Sequence, residues 1–287
     1  MRVDRNVPLG PLTTYRVGGP AALLVRVEHH DDLRDASTLL RREGLPVLVV
    51  GKGSNLLVAD AGFDGLAVVL GDRFAEVTIE GTRVRAGGAA ALPVVARRAA
   101  SAGLRGLEWM VGIPGSVGGG VRMNAGGHGS DVAAHVVRVR VFDLASGDDG
   151  EMQAADLGLG YRRSSIQPGQ VVVEAEFAAT AGDADAAAAE IAEIVRWRRD
   201  NQPGGQNAGS VFTNPEGDSA GRLVDAAGCK GLRVGTAEVS TKHANFIQAD
   251  PDGRADDVRA LIAEVQRRVR DEFGVDLHPE VRLVGFE

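Results

Sequence analysis

The sequence has a single cysteine and no long apolar run, and no signal peptide is expected at its start. Cys229 cannot form an internal disulfide bond, and one cysteine in 287 residues is typical of a reducing compartment. No stretch of about 18 apolar residues occurs, so no membrane-spanning helix is predicted. The first ten residues, MRVDRNVPLG, lack the apolar core of a signal peptide. We therefore expect a cytoplasmic protein.

Charge and histidine content argue against two further kinds of site. The net charge is −7 and the 32 basic residues form no cluster, so nucleic-acid binding through counterion release is not expected. The six histidines show no metal-ligand spacing, and only one cysteine could join them. We predict no metal site, and no protein partner can be inferred.

Apolar patterning indicates a mixed α/β protein of two or three compact units. Segments 21–28 and 46–50 have strand length, and segment 31–44 between them has helical spacing and ends at a glycine. This β-α-β order predicts that the two strands pair in parallel. Further strands and helices are predicted downstream: strands over 65–70, 75–79, 82–87, 136–144, 171–177 and 280–285, and helices over 92–103, 183–200 and 254–274. In the last of these helices an apolar stripe is expected to face the core, formed by Val258, Leu261, Ile262, Val265, Val269 and Phe273.

Two glycine-rich stretches could hold a phosphate with main-chain groups. GKGSN at 51–55 follows a strand, and VGIPGSVGGGVRMNAGG spans 111–127. The first lacks the dinucleotide-binding fingerprint, so on its own it is explained by a tight turn. The second contains apolar residues such as Val117 and Val121, as though it were packed. Exposed N–H groups in two such loops would suit a pyrophosphate.

Three polar residues are candidates for chemistry. Arg162 lies in GYRRSS, Ser210 in NAGSVFTNP, and Glu280 at the start of the last predicted strand. Each alone has a simpler explanation, as a solvated arginine, a turn hydroxyl and an exposed strand end. Ser210 lacks the second glycine of a nucleophile elbow. From the residues alone its role stays open between nucleophile, proton donor and turn.

Seven motifs together resemble those of a known family. They stand in the order found in the MurB-type UDP-N-acetylenolpyruvoylglucosamine reductases, flavoenzymes of peptidoglycan synthesis. The motifs are GKGSNLLV, GIPGSVGG with MNAGG, GYRRSS, QPGGQNAGSVFTNP, AGRLVDAAGCKG, VSTKHANFI and HPEVRLVG. The resemblance runs from about Leu12 to the C-terminus. It is closest to the shorter subtype, because little sequence lies between GYRRSS and the C-terminal unit that could hold the substrate-covering insertion of the longer subtype.

The resemblance implies an α+β fold that binds FAD. Two lobes, residues 1–72 and 73–200, would form an FAD-binding fold of the p-cresol methylhydroxylase/vanillyl-alcohol oxidase type, and residues 201–287 would form an α+β substrate-binding lobe. FAD would be bound noncovalently, with NADPH as hydride donor. The implied FAD contacts are Gly51, Lys52, Gly53, Ser54, Asn55, Leu56, Gly115, Ser116, Gly118, Gly119, Asn124, Ala125 and Gly126.

The implied reaction reduces UDP-N-acetylglucosamine enolpyruvate to UDP-N-acetylmuramate. Hydride reaches the vinyl carbon, and the carbon bearing the ether and carboxylate must then be protonated. The resemblance implies that Ser210 gives this proton, that Arg162 stabilises the developing charge, and that Glu280 is protonated or shares a hydrogen bond there. Asn214 and Lys242 would lie near the diphosphate of the UDP-sugar.

The sequence departs from the family pattern at three places. Thr213 stands where the family usually has lysine, and Gly127-His128 stands where it usually has Ala-Tyr. The segment QPGGQNAG also lacks the proline and serine that usually precede the active serine. The change at Thr213 bears on the proposed diphosphate contact near Asn214.

Two alternative functions stay open. The chain could be another FAD oxidase of the same fold, or a UDP-sugar-binding protein without turnover. The motifs GSVFTNP and HPEV would be unexplained in the first alternative. The joint presence of Arg162, Ser210 and Glu280 argues against the second.

Overall fold

A computed structural model describes residues 1–286, and Glu287, the last residue of the predicted C-terminal lobe, lies outside them. The strands of the described chain are β1 Arg2–Pro8, β2 Pro20–Val27, β3 Val47–Val50, β4 Leu56–Val58, β5 Phe63–Leu70, β6 Val77–Glu80, β7 Arg83–Gly87, β8 Leu104–Arg105, β9 Gly126–Gly127, β10 Ser130–Asp131, β11 Val136–Asp143, β12 Asp149–Gln153, β13 Gln170–Ala178, β14 Thr180–Ala181, β15 Arg233–Val234, β16 Ala237–Val239, β17 Ile247–Ala249 and β18 Arg282–Val284. The α-helices are α1 His30–Glu43, α2 Leu92–Ser101, α3 Val117–Arg122, α4 Ala184–Asn201, α5 Ala220–Ala226 and α6 Ala255–Phe273.

The chain forms two compact units, each assembled from several segments. The first unit contains Met1–Arg5, Leu23–Lys52 and Gly65–Arg198, and the second contains Asn6–Ala22, Gly53–Asp64 and the chain from Arg199 onward. No helix within residues 1–286 combines the length and the apolar content that a membrane crossing requires.

The first unit is built on two sheets. The larger has the strand order β12-β11-β13-β7-β6, and its four neighbouring pairs are all antiparallel. On one side of β11 and β13, Phe142, Val171 and Val173 belong to a core with residues of α1 and β2. Val139, Val172 and Phe177 belong to a second core with residues of α2 and α3. Val117 and Val121 of the second glycine stretch are fully buried in this core. The stretch is therefore packed, as its apolar residues predicted.

The smaller sheet of the first unit has the order β1-β2-β5-β3. The predicted pairing of β2 with β3 is wrong, because β5 lies between them and β3 pairs in parallel with β5 instead. Strand β5 is almost continuously apolar and buried from Leu66 to Val69, as is typical of a central strand. Helix α1 ends at Gly44, whose φ of 63° lies in the left-handed region that favours glycine.

The second unit packs helix α6 against the sheet β15-β16-β17. The predicted apolar stripe of α6 is buried from Val258 to Val269, and Phe273 is partly buried at its end. Strand β4 pairs in parallel with β18, which joins a segment from the first quarter of the chain to its last strand. Tyr15 and Leu57 are buried in the same core.

Candidate active site

The two glycine stretches meet in the first unit at Gly51 and Ser116. Ser116 caps helix α3, and its Oγ accepts from Gly119 N–H at 3.4 Å. A Cβ built on Gly51 would lie 2.4 Å from that Oγ. Only a residue without a side chain fits beside the hydroxyl as it stands. The main chain of Gly51 therefore lies directly beside the Ser116 hydroxyl.

Main-chain donors in the first glycine stretch are available for a ligand. Within residues 1–286, the N–H groups of Gly51 and Lys52 in the first unit make no hydrogen bond to the protein. The N–H groups of residues 53–55, which belong to the second unit, likewise make none there. In the second stretch, by contrast, Gly118 N–H donates to Gly88 O at 2.9 Å. Unpartnered, successive N–H groups of this kind suit an anion such as a phosphate.

Asn124 has its side chain engaged inside the protein. It is 3% exposed, and its φ of 40° is uncommon for a residue other than glycine. Its Oδ1 accepts from Ala133 N–H at 2.9 Å, and its Nδ2 donates to Gly160 O at 3.0 Å and to Asp131 at 3.2 Å. Its amide thus ties the MNAGG stretch to the GYRRSS segment that carries Arg162.

Arg162 lies at the tip of a tight turn in the first unit. Gly160 and Arg163 exchange two main-chain hydrogen bonds of 3.1 Å, which close the turn over Tyr161 and Arg162. The φ of Arg162 is 53°, a conformation that costs a non-glycine residue on the order of 1–3 kcal/mol. Its Nη2 donates to Gly126 O at 3.2 Å. The guanidinium is thereby fixed on a strained backbone, a feature that clusters at functional sites.

The second unit brings Ser210 and Glu280 together through their main chains. The segment after Ser210 runs antiparallel to the segment of Glu280, with Phe212 opposite Pro279. Glu280 N–H donates to Val211 O at 2.7 Å. The side chains of Ser210 and Glu280 are half-buried. Two candidates from distant parts of the sequence therefore sit on adjacent, hydrogen-bonded segments.

Asn245 holds the Ser210 segment from the other side. It is 4% exposed, and its Nδ2 donates to Phe212 O at 2.9 Å while its Oδ1 accepts from Phe212 N–H at 3.0 Å. Its main-chain oxygen also accepts from Val211 N–H at 2.9 Å. Asn245 was not predicted from the sequence. Its signal was a lone amide inside the apolar run HANFI, where a buried polar side chain needs partners.

Asn55 reaches Glu280 from the first glycine stretch. Its Nδ2 donates to the main-chain oxygen of Glu280 at 3.0 Å, within the second unit. Its own main-chain oxygen accepts from Arg282 N–H at 3.0 Å. The side chain of this predicted cofactor residue therefore contacts the segment of a predicted catalytic residue.

Asn214 and Lys242, the predicted diphosphate residues, both contact helix ends. Asn214 Oδ1 accepts from Ala220 N–H, the first residue of α5, at 3.0 Å. Lys242 Nζ donates to Arg199 O in the last turn of α4 at 2.5 Å. A cation is favourable at a helix C-terminus, so this contact alone would account for Lys242. Both side chains are exposed, which leaves them accessible to a ligand.

His243, next to Lys242, supports the Asn245 loop. Its Nδ1 accepts from Asn245 N–H at 3.2 Å, which requires an unprotonated nitrogen. Burial lowers the pKa of His243 below its ordinary value, and the charge of Lys230 lowers it further. The neutral ring is thus favoured at pH 7.

Comparisons with known proteins cover nearly the whole chain. A family model described as the C-terminal domain of UDP-N-acetylenolpyruvoylglucosamine reductase matches residues 201–284, and an FAD binding domain model matches residues 21–149. The reductase of Paramagnetospirillum magneticum is 42% identical over 285 residues, covering 99% of this chain and 92% of the relative. The Sphingopyxis alaskensis reductase is 44% identical over 286 residues, covering 99% and 95%.

A solved structure is similar over the same extent. The crystal structure of the UDP-N-acetylenolpyruvylglucosamine reductase of Thermus caldophilus superposes with a TM-score of 0.86 at 38% identity and covers 99% of both chains. The predicted fold class, an α+β FAD-binding part followed by a C-terminal part, is confirmed by these matches.

Proposed function

The chain belongs to the family of UDP-N-acetylenolpyruvoylglucosamine reductases, and from this premise we propose roles for its own residues. It is an FAD-containing oxidoreductase of peptidoglycan synthesis, with NADPH as hydride donor. Its substrate is UDP-N-acetylglucosamine enolpyruvate, which becomes UDP-N-acetylmuramate. The predictions of family, activity and cofactor are confirmed.

FAD, when bound, supplies the hydride that the substrate accepts. We propose that the main chain of residues 51–55 binds its pyrophosphate, with noncovalent attachment. The unpartnered N–H groups of this stretch and the absence of room for a side chain at Gly51 support the proposal. We assign the contacts predicted in the second stretch, from Gly115 to Gly126, to the same cofactor. For Asn124 the internal hydrogen bonds favour a role in holding the loop in place.

We propose that Ser210 donates a proton to carbon. Addition of hydride to the vinyl carbon builds negative charge on the adjacent carbon and its carboxylate. A hydroxyl positioned at that carbon completes the reduction, and a general acid typically contributes about 10²–10⁴-fold to the rate. The pairing of the Ser210 segment with the Glu280 segment is the observation that carries this proposal. Glu280 serves as the hydrogen-bonding partner in this step.

Arg162 stabilises the charge that develops on the substrate carboxylate. A guanidinium is always charged and presents several N–H donors, so it provides fixed electrostatic stabilisation. Its strained backbone supports a conformation retained for function rather than for folding. We propose Asn214 and Lys242 as contacts of the UDP-sugar diphosphate.

Three further predictions remain proposals. The division into lobes at 1–72, 73–200 and 201–287 follows the family pattern. A cytoplasmic location is supported by a lone, buried cysteine thiol. We expect no nucleic-acid partner, in accordance with the net charge of −7.

Separate measurement of the two half-reactions tests the role of Ser210. Reduction by NADPH needs no proton on carbon, so Ser210→Ala should lose flavin absorbance at the wild-type rate. Reoxidation by the enolpyruvyl UDP-sugar should slow by about 10²–10⁴-fold, and Ser210→Cys should recover part of that loss. Stopped-flow absorbance follows both steps. If Ser210→Ala is reoxidised at the wild-type rate, the hydroxyl is not the proton donor and Ser210 only completes a turn.

A further inference from the structure

Asn55 joins the first glycine stretch to the C-terminal strand of the second unit. Its side-chain Nδ2 donates to Glu280 O at 3.0 Å, and its main-chain oxygen accepts from Arg282 N–H at 3.0 Å. Directly after it, β4 pairs in register with β18, with Leu56 opposite Arg282. The segment of Glu280 is therefore set against the stretch that carries the proposed phosphate donors.

The main-chain N–H and the side chain of Asn55 serve different purposes. Within residues 1–286 its N–H has no hydrogen-bond partner in the protein, whereas its amide is engaged at Glu280. From Glu280 the contacts continue, because Glu280 N–H donates to Val211 O at 2.7 Å. Val211 directly follows Ser210. Two hydrogen bonds, joined through the main chain of Glu280, thus connect the side chain of Asn55 to the Ser210 segment.

We propose that Asn55 is a positioning residue that holds Glu280 in place for the protonation step. The inference rests on the proposed role of Glu280 in that step. Without the amide, the Glu280 carbonyl loses the bond that ties it to β4, and its carboxyl group moves away from its working position. A displacement of about 1 Å can cost on the order of 10²-fold in rate. The loss falls on the protonation step, because hydride transfer from NADPH requires no proton from this site.

Two Asn55 variants, each saturated with FAD, test the proposal. Asn55→Ala removes the amide, and Asn55→Asp keeps its shape but presents an ionised carboxylate that cannot donate. Stopped-flow absorbance measures flavin reduction by NADPH and then reoxidation by the enolpyruvyl UDP-sugar. In both variants reoxidation slows by roughly 10–100-fold, and by a larger factor than flavin reduction does.

A double-variant cycle and a matched control isolate the coupling. If Asn55 acts through Glu280, then Asn55→Ala/Glu280→Gln reoxidises no more slowly than Glu280→Gln alone. Gln266→Ala removes a comparable bond from the same C-terminal segment, because Gln266 Nε2 donates to Leu277 O at 2.8 Å. This control keeps the wild-type reoxidation rate.

The outcomes separate this inference from the proposed function. If Glu280→Gln is slow while Asn55→Ala reoxidises normally, Asn55 does not position Glu280 and the role of Glu280 stands. The inference is also overturned if Asn55→Ala only weakens FAD binding, if the two losses multiply, or if Gln266→Ala is equally slow. If Glu280→Gln itself reoxidises at the wild-type rate, the proposed role of Glu280 and the inference fail together.

Discussion

Gly51 provides a direct test of the main-chain cradle for FAD. A Cβ at this position would lie 2.4 Å from Ser116 Oγ but 3.5 Å from Ser116 Cβ, so only the hydroxyl obstructs it. Gly51→Ala displaces that hydroxyl and breaks its hydrogen bond to Gly119 N–H. The expected loss is about 0.5–1.5 kcal/mol in the free energy of unfolding. The variant should therefore fold.

The effect of Gly51→Ala on FAD affinity should be larger. A methyl group on the cradle prevents close approach of the phosphate and removes a hydrogen bond to a charged group, worth about 1.5–3 kcal/mol. That energy corresponds to a Kd raised roughly 10–150-fold. Titration of the apoprotein with FAD, followed by flavin fluorescence, measures the change, and urea unfolding of the same sample checks the stability.

A second substitution distinguishes ligand approach from packing. In Gly51→Ala/Ser116→Ala the collision is gone, because the remaining Cβ contact of 3.5 Å is ordinary. If the cradle binds FAD, the double variant keeps its low affinity. Recovery to the affinity of Ser116→Ala alone would refute the reasoning. Gly53 cannot replace Gly51 in this test, because its Cβ would lie 2.1 Å from Leu12 O at a φ of 61° and strain the fold itself.

Two further predictions concern the loop that supports Ser210. Asn245→Ala should lower the free energy of unfolding by about 1–3 kcal/mol, because the buried N–H and C=O of Phe212 lose their partners, and an unchanged urea midpoint would contradict this. Because burial lowers the pKa of His243 below 6.5, the unfolded chain binds a proton more readily than the folded one. Stability should therefore fall as the pH decreases through 6.5 and level off below the folded pKa. His243→Leu should flatten that part of the profile in unfolding measurements across this range, and an unaltered slope would assign it to other groups.

Local periodicity predicted the elements of the fold better than their partners. The apolar stripe of α6 was predicted because its spacing of three to four residues is visible within one segment of sequence, and the stripe is buried as expected. The pairing of β2 with β3 was wrong, because nothing in those segments shows that β5 inserts between them. Strand order depends on residues elsewhere in the chain, which a local pattern does not contain.

For the candidate site too, the residues were predicted better than the contacts between them. The family resemblance supplied Ser210 and Glu280, and the structure places them on paired segments. It gave no indication of how those segments are held. Asn245 bonds to Phe212 across 33 positions of sequence, and Asn55 bonds to Glu280 across 225. Such contacts depend on tertiary folding, so the sequence predicted Asn55 only as a cofactor contact and predicted no role for Asn245.

The segmented second unit determines when the protein can finish folding during synthesis. Its core joins Tyr15 and Leu57 to residues as late as Val281, and β4 finds its partner only in β18. All segments of the first unit have been made once the ribosome passes Arg198. The second unit must wait until β18 has been made. Throughout that interval β4 is an apolar strand without a neighbour, which is a site for aggregation. The nascent chain therefore carries a hazard that the completed fold, in which β4 is paired with β18, no longer shows.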